Sequence, residues 1–335
     1  VTDVQLPSSS FQHPVLITGV NGFIAGHLAE RLCREGVPVR GLARRPETAG
    51  WLARKGVKVI PGDLLDVESV VRSMAGCRAM VHAASWTGGG NLSANLAWRT
   101  NVAGTVNALE AARMAGVERF VYVSSVAVYG LNCAPLIDES MPTPPVGQLY
   151  PDSKIAAEAE VRKSGLPYVI VRPACIYGPR GTAWTIGPVE QIKHRSLILL
   201  GRDEGLVTPG YIDNLVDGLW LALSRPAALG QTFNLCDDRS VTYREFYMAY
   251  ARMLRRDRLP ALPGWIALLA RSDLAGLARR LVGKPTIGPW SLHFRFNPSQ
   301  FSVQHAQQVL GYTPMVDFAT GMRRTEAWLQ ASGYL

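Results

Sequence analysis

The chain lacks any C-x-x-C pair: its five cysteines (Cys33, Cys77, Cys133, Cys175 and Cys236) are odd in number and widely scattered. That argues against a disulfide framework or a zinc ribbon and marks them as reduced thiols. No two of the six histidines stand four residues apart, so no helix face offers paired imidazoles and no metal is expected. A long uninterrupted apolar run is also missing. The nearest, from Leu262 to Val282, is cut by Arg271, Asp273, Arg279 and Arg280, which excludes stable membrane insertion. Residues 1–13 contain Ser8, Ser9 and Ser10 but no apolar core of a secretory signal, so a flexible leader on a cytoplasmic protein is expected. Despite a formal net charge of +9, no basic run is interleaved with aromatics, which removes nucleic acid as an expected partner. Arginine supplies 29 of the 35 basic residues, which looks more like a genome-wide coding bias than a functional choice, although the surplus would also favour an anionic cofactor.

What is present is alternation. Short β-rich runs (Val15 to Thr18, Val37 to Leu42, Val57 to Ile60, Met80 to His82, Phe120 to Ser124, Val169 to Arg172) are separated by amphipathic segments of helix length, the first from about Phe23 to Glu35. This pattern predicts an α/β fold with a parallel sheet covered on both faces. After Arg172 the rhythm breaks into loops, returns at Thr232 to Leu235 and ends in a helix-rich tail. The expected division is a nucleotide-binding domain of residues 14–172 plus 211–236, with a smaller interleaved substrate subdomain of 173–210 plus 237–335.

The first strand runs directly into Gly19, Gly22 and Ala25 and then a helix. Gly19 permits the turn, Gly22 lets backbone approach a pyrophosphate, and Ala25 allows close packing of helix on strand, with free N–H groups aimed at phosphate. The second strand ends in Arg44 and Arg45 with no acid to receive a ribose 2′-hydroxyl, which favours NADP over NAD. At the end of the third strand, Asp63 stands where a carboxylate can accept from an adenine amino group.

Reducing a carbonyl by hydride needs a proton donor for the new alkoxide, and a phenol near its usual pKa of about 10 needs a neighbouring cation to do this at neutral pH. Tyr150 and Lys154, four apart, share one helix face, where the ammonium is expected to lower the phenol pKa and to grip the nicotinamide ribose. Ser125 follows a strand whose carboxyl end is the ligand-binding edge of such sheets, and its hydroxyl can hold the substrate oxygen.

Taken in order, Thr18-Gly19-x-x-Gly22-x-x-Ala25, Asp63-Leu64, Val81-His82-Ala83-Ala84, Asn101-x-x-Gly104-Thr105, Ser124-Ser125 with Tyr129-Gly130, Tyr150-x-x-x-Lys154, Arg172-Pro173-x-x-x-Tyr177-Gly178-Pro179 and Leu310-Gly311-Tyr312-x-Pro314 resemble the extended short-chain dehydrogenase/reductases over nearly the whole chain. The one departure is Ala25 for the usual third glycine. The resemblance implies a Rossmann doubly wound sheet, catalysis by Ser125, Tyr150 and Lys154, and a homodimer formed through two helices of each subunit. It places the cofactor against Gly19, Asn21, Gly22, Phe23 and Ile24, Arg44, and Asp63 with Leu64. Further contacts are implied at Ala83, Ala84, Ser85, Asn101, Ser124, Tyr150 and Lys154, and at Pro173, Ala174 and Ile176 beside the nicotinamide.

Within that family, sugar-nucleotide enzymes usually carry asparagine where this chain has Cys175, and an Arg-Asp-Phe stretch where it reads Val207, Thr208 and Pro209. The pattern is nearer the β-hydroxysteroid dehydrogenase and dihydroflavonol reductase branch. The expected activity is oxidoreduction of a ketone or secondary alcohol on a mainly apolar small molecule. The alternatives are a nucleotide-sugar epimerase or dehydratase with tightly held NAD and a non-catalytic dinucleotide sensor. Trp86, Ser125, Tyr177 and Trp184 are the expected substrate contacts. An apolar helix with Trp265, Ile266, Leu268, Leu269, Leu274 and Leu277 could wall the pocket, although such a stripe is more often plain core. Arg180, Lys193, Arg195 and Arg202 are candidates for a substrate carboxylate or phosphate.

Overall fold

The computed structural model describes residues 12–88, 93–200, 205–263 and 296–335. Most of the expected leader, Arg202 and the expected apolar helix from Trp265 to Leu277 lie outside the described residues.

Seven strands form one sheet: β1 (Val15–Thr18), β2 (Val39–Ala43), β3 (Lys58–Pro61), β4 (Ala79–His82), β5 (Arg119–Val123), β6 (Tyr168–Pro173) and β7 (Thr232–Leu235). All neighbours run parallel, in the order β7-β6-β5-β4-β1-β2-β3. The order reverses between β1 and β4, which opens a crevice at their carboxyl ends. Strand bounds differ from the expected ones by a residue or two, as hydrogen-bonded ends do not follow apolar runs exactly.

The two-residue period of a strand divides the interior into two cores. Val15, Ile17, Val81, Val121, Val169 and Val171 face one side, where helices α1 (Phe23–Arg34) and α2 (Ile212–Ser224) bury Leu28, Leu32, Leu215 and Leu219 against them. Leu16, Met80, Phe120, Tyr122 and Ile170 face the other, covered by Ala108, Ala112, Ala157 and Val161 from the helices Ala103–Met114 and Leu149–Lys163. Each of these larger side chains contributes about 1.5–3 kcal/mol on burial, which is why the strands read as nearly continuous apolar runs.

Among the described residues, four short strand pairs lie outside this sheet, including Cys175–Tyr177 beside Pro209–Tyr211 and Leu136–Ile137 beside Gln300–Phe301. The tail is tied back to the sheet: the Tyr312 hydroxyl donates to the Cys236 carbonyl, and the Asn214 amide bonds both backbone groups of Val316. No helix among the described residues is long and apolar enough to cross a membrane.

Candidate active site

Gly19 leaves β1 with φ +67°, and a Cβ there would lie 2.8 Å from the Ala84 Cα, so this turn admits only glycine without displacement. Gly22 N–H donates to the Gly19 carbonyl and begins α1, which has no side-chain cap and no acid in its first turn. The N–H groups at Phe23 and Ile24 therefore stand at a positive helix end without a competing anion, the arrangement a pyrophosphate fits. Ala25 is buried in the core, and at the next residue a Cβ on Gly26 would sit 3.2 Å from the Trp51 ring. Asn21 donates to the Thr48 hydroxyl, which in turn donates to the Arg45 carbonyl, joining the glycine turn to the loop after β2. Arg44 is the first residue beyond β2 and is exposed.

Thr18 and His82, at the carboxyl ends of β1 and β4, lock the crevice. Thr105 donates to the Asn101 carbonyl, so its oxygen accepts from His82 Nε2, leaving His82 Nδ1 to accept from Thr18 and Thr18 to accept from Ala84 N–H. Burial and the nearby Lys154 push the His82 pKa down to about 3, so the ring is neutral.

Beside this chain, the Ser125 hydroxyl accepts from Ala127 N–H and stands near enough to the Tyr150 phenol to favour its ionised form. Tyr150 and Lys154 share the first turns of the helix Leu149–Lys163 as expected. Burial raises the Tyr150 pKa, the opposite direction to the expected lowering, and Ser125 opposes that rise. The Lys154 ammonium donates to the Val123 carbonyl at 2.8 Å and lies 4.9 Å over the Tyr122 ring. Burial lowers its pKa to about 7, opposed by Glu158.

Several expected contacts are displaced by partners remote in sequence. The Asn101 amide is buried and saturated: its oxygen accepts from Trp86 N–H and lies 3.0 Å from Ser85 Oγ, while its nitrogen donates to the Trp86 carbonyl and Ser153 Oγ. It clamps a loop to the active-site helix and has no capacity left for a cofactor. Ser124 Oγ spends its one proton on Glu158. The Leu64 side chain lies in the core against Gly104. Asp63 is exposed, with Oδ1 accepting from Leu65 N–H. Tyr177 is fully buried among Tyr211, Phe246 and Phe318, so it is core and not a substrate wall. Trp184 packs edge-on against Phe246 but stays half-buried. Arg180, a candidate for a substrate anion, pairs with Glu30 at 2.8 Å and stacks on Trp51. Lys193 lies 3.7 Å from Glu190, and Arg195 adopts φ +52°.

Trp86 is half-buried with its backbone held by Asn101. Pro173, Ala174 and Ile176 follow the carboxyl end of β6, and Ala83 with Ala84 follows β4, so these residues border one crevice. Cys175 is buried and lines a cavity of about 20 Å³ with Val126, Ile137, Leu206, Thr208 and Phe301.

Known proteins resemble this chain in sequence and in fold. A 4-hydroxy-2-methyl-3-oxo-4-farnesyl-3,4-dihydroquinoline-1-oxide ketoreductase of Stigmatella aurantiaca is 33% identical over 237 residues, 69% of this chain and 70% of that protein. A 3 beta-hydroxysteroid dehydrogenase/Delta 5-->4-isomerase of Mycobacterium tuberculosis is 29% identical over 93% of this chain and 88% of its own length. Among solved structures, MoeE5 in complex with UDP-glucose and NAD superposes with a TM-score of 0.75 over 95% of this chain and 99% of that one, at 22% identity. Residues 15–236, from β1 through β7, match the model of one family, and the chain belongs to the NAD dependent epimerase/dehydratase family.

Proposed function

We propose that this protein is an oxidoreductase that moves a hydride between NADP and a ketone or secondary alcohol on a mainly apolar small molecule. The observation that carries the chemistry is that the Lys154 ammonium, one helical turn from Tyr150, bonds the Val123 carbonyl two residues before Ser125, which brings all three side chains to one strand end. A bound nicotinamide supplies or accepts the hydride. Ser125 holds the carbonyl oxygen, Tyr150 donates the proton that the developing alkoxide needs, and Lys154 lies within the same helix face to grip the ribose.

The substrate class follows from Cys175 and Val207. Both are buried among apolar neighbours at the positions where sugar-nucleotide enzymes carry polar diphosphate contacts. The named activities of the Stigmatella and Mycobacterium relatives, a ketoreductase and a hydroxysteroid dehydrogenase, support the same class. Exposed Arg44 and the lack of an acid at the end of β2 support NADP. We assign residues 14–172 and 211–236 to the nucleotide half and 173–210 with 237–335 to the substrate half. We further assign a homodimer through paired helices of each subunit, where Trp98 and Val106 are exposed apolar positions.

The deciding measurement is absorbance at the reduced-nicotinamide band with NADPH and a panel of 3-oxosteroids, 3-oxo acids and UDP-sugars. Steady consumption on an apolar ketone supports the reductase. Altered sugar with no net absorbance change, and NAD retained through purification, would replace it with an epimerase.

A further inference from the structure

Behind the catalytic group lies a buried ion pair that the chemistry above does not use. Arg172 grips the Glu158 carboxylate with two bonds, Nε to Oε1 at 2.9 Å and Nη2 to Oε2 at 2.7 Å. Ser124 Oγ donates to Oε1 at 2.6 Å, and Arg162 reaches Oε2 from the surface side at 3.1 Å. Arg172 Nη1 also donates to the Tyr129 hydroxyl, which donates to Asn234 Oδ1 on β7. Both members of the central pair are almost wholly buried, with side-chain exposures of 3% and 5%.

Each partner is adjacent to a functional position. Ser124 precedes Ser125, Glu158 lies one turn beyond Lys154, Tyr129 closes the short helix that Ser125 caps, and Arg172 precedes Pro173. A buried ion pair of this kind is often no more stabilising than apolar residues of the same volume, so stability alone does not account for it. We propose that the Glu158 carboxylate, fixed by Arg172 and Ser124, is a positioning residue that sets Lys154 and Ser125 relative to each other for proton transfer. The proposal rests on the Ser125, Tyr150 and Lys154 reading given above.

The electrostatics agree in sign. Glu158 is held below the usual carboxylate range: burial pushes it up, but the bonds and charge of Arg172 and the Ser124 hydroxyl outweigh that. The groups facing Lys154 are the Tyr122 ring on β5, neutral His82 on β4, and Tyr150 and Glu158 on its own helix, with Arg172 and Arg162 beyond Glu158. Among the described residues, Glu158 is therefore the carboxylate that favours the ammonium form in a site whose burial opposes it.

The test follows the ¹³Cε resonance of Lys154, assigned by its loss in Lys154→Arg, through a pH titration of the full chain. Glu158→Gln is expected to move its midpoint down by about one unit or more, and Ser124→Ala in the same direction by less, with NADPH affinity within about threefold of wild type. With a 3-oxosteroid as carbonyl probe, Glu158→Gln should lower kcat about tenfold with little change in KM. The limb in which activity falls with rising pH should move to lower pH. An unmoved Lys154 midpoint in both variants overturns the proposal, as does unchanged kcat accompanied only by a lower Tm. Should Glu158→Gln fail to fold, Ser124→Ala decides alone. Turnover retained in Tyr150→Phe would remove the catalytic reading, whereas the Lys154 titration would still report whether Glu158 holds the lysine.

Discussion

The Lys154 ammonium donates to the Val123 carbonyl at 2.8 Å, two residues before Ser125, and so pins the active-site helix to the end of β5. This bond satisfies one of three donors on a cation that burial disfavours. The lysine is thus held close to its titration point at neutral pH.

Replacing Lys154 should expose that cost. Its folded pKa, about 7, lies below the ordinary 10.5, so the unfolded chain holds more protons between these values. The cost is complete below pH 7 and fades as pH rises toward 10. Lys154→Met is expected to stabilise the fold by about 1–3 kcal/mol at pH 6 and by less at pH 10, while abolishing turnover. Thermal denaturation at both pH values checks it, and a destabilised or pH-independent variant would refute it.

Arg44→Ala should weaken NADPH binding by about 10–100-fold, since an arginine on a phosphate makes charge-assisted bonds of roughly 1.5–3 kcal/mol. NADH binding should change by less than about twofold. Fluorescence titration with both cofactors separates the cases, and equal losses would remove Arg44 as the reader of the 2′-phosphate.

Gly19→Ala places a methyl 2.8 Å from the Ala84 Cα at a residue with φ +67°. The backbone must shift, and the expected cost is about 1–3 kcal/mol of stability together with a loss of dinucleotide affinity of at least tenfold. Calorimetry of the variant with and without NADPH measures both. Wild-type affinity would show that the turn does not approach the pyrophosphate.

The buried His82 and the half-buried His27 should make the protein acid-sensitive above the carboxylate range. Burial and Arg180 lower His27 to about 4, and burial and Lys154 lower His82 to about 3. Both folded values lie below the ordinary 6.5, so their stabilisation is complete above that pH and is lost as pH falls. Between pH 6.5 and 5 the slope should approach about 1.4 kcal/mol per unit for each histidine. Urea denaturation across this window should show His27→Gln removing part of the slope; an unchanged slope would place the acid sensitivity elsewhere.

Much of this was legible in the chain itself. The strands of the sheet, the glycine turn, the spacing of Tyr150 and Lys154 and the position of Ser125 all depend on residues close together in sequence. Local geometry and apolar periodicity are enough to place them, because a strand, a tight turn and one helical face each span only a few residues.

What only the tertiary structure decided are pairings across long stretches of chain. Asn101 meets Ser153, Ser124 meets Glu158, Tyr177 meets Phe318 and Arg180 meets Glu30, and each of these turns an expected ligand contact into an internal bond or a packed core position. The raised pKa of Tyr150 has the same origin. Helical spacing puts the two side chains on one face, but burial, opposed by Glu158 at the lysine and by Ser125 at the phenol, sets the direction in which each pKa moves, and burial is not a property of sequence spacing.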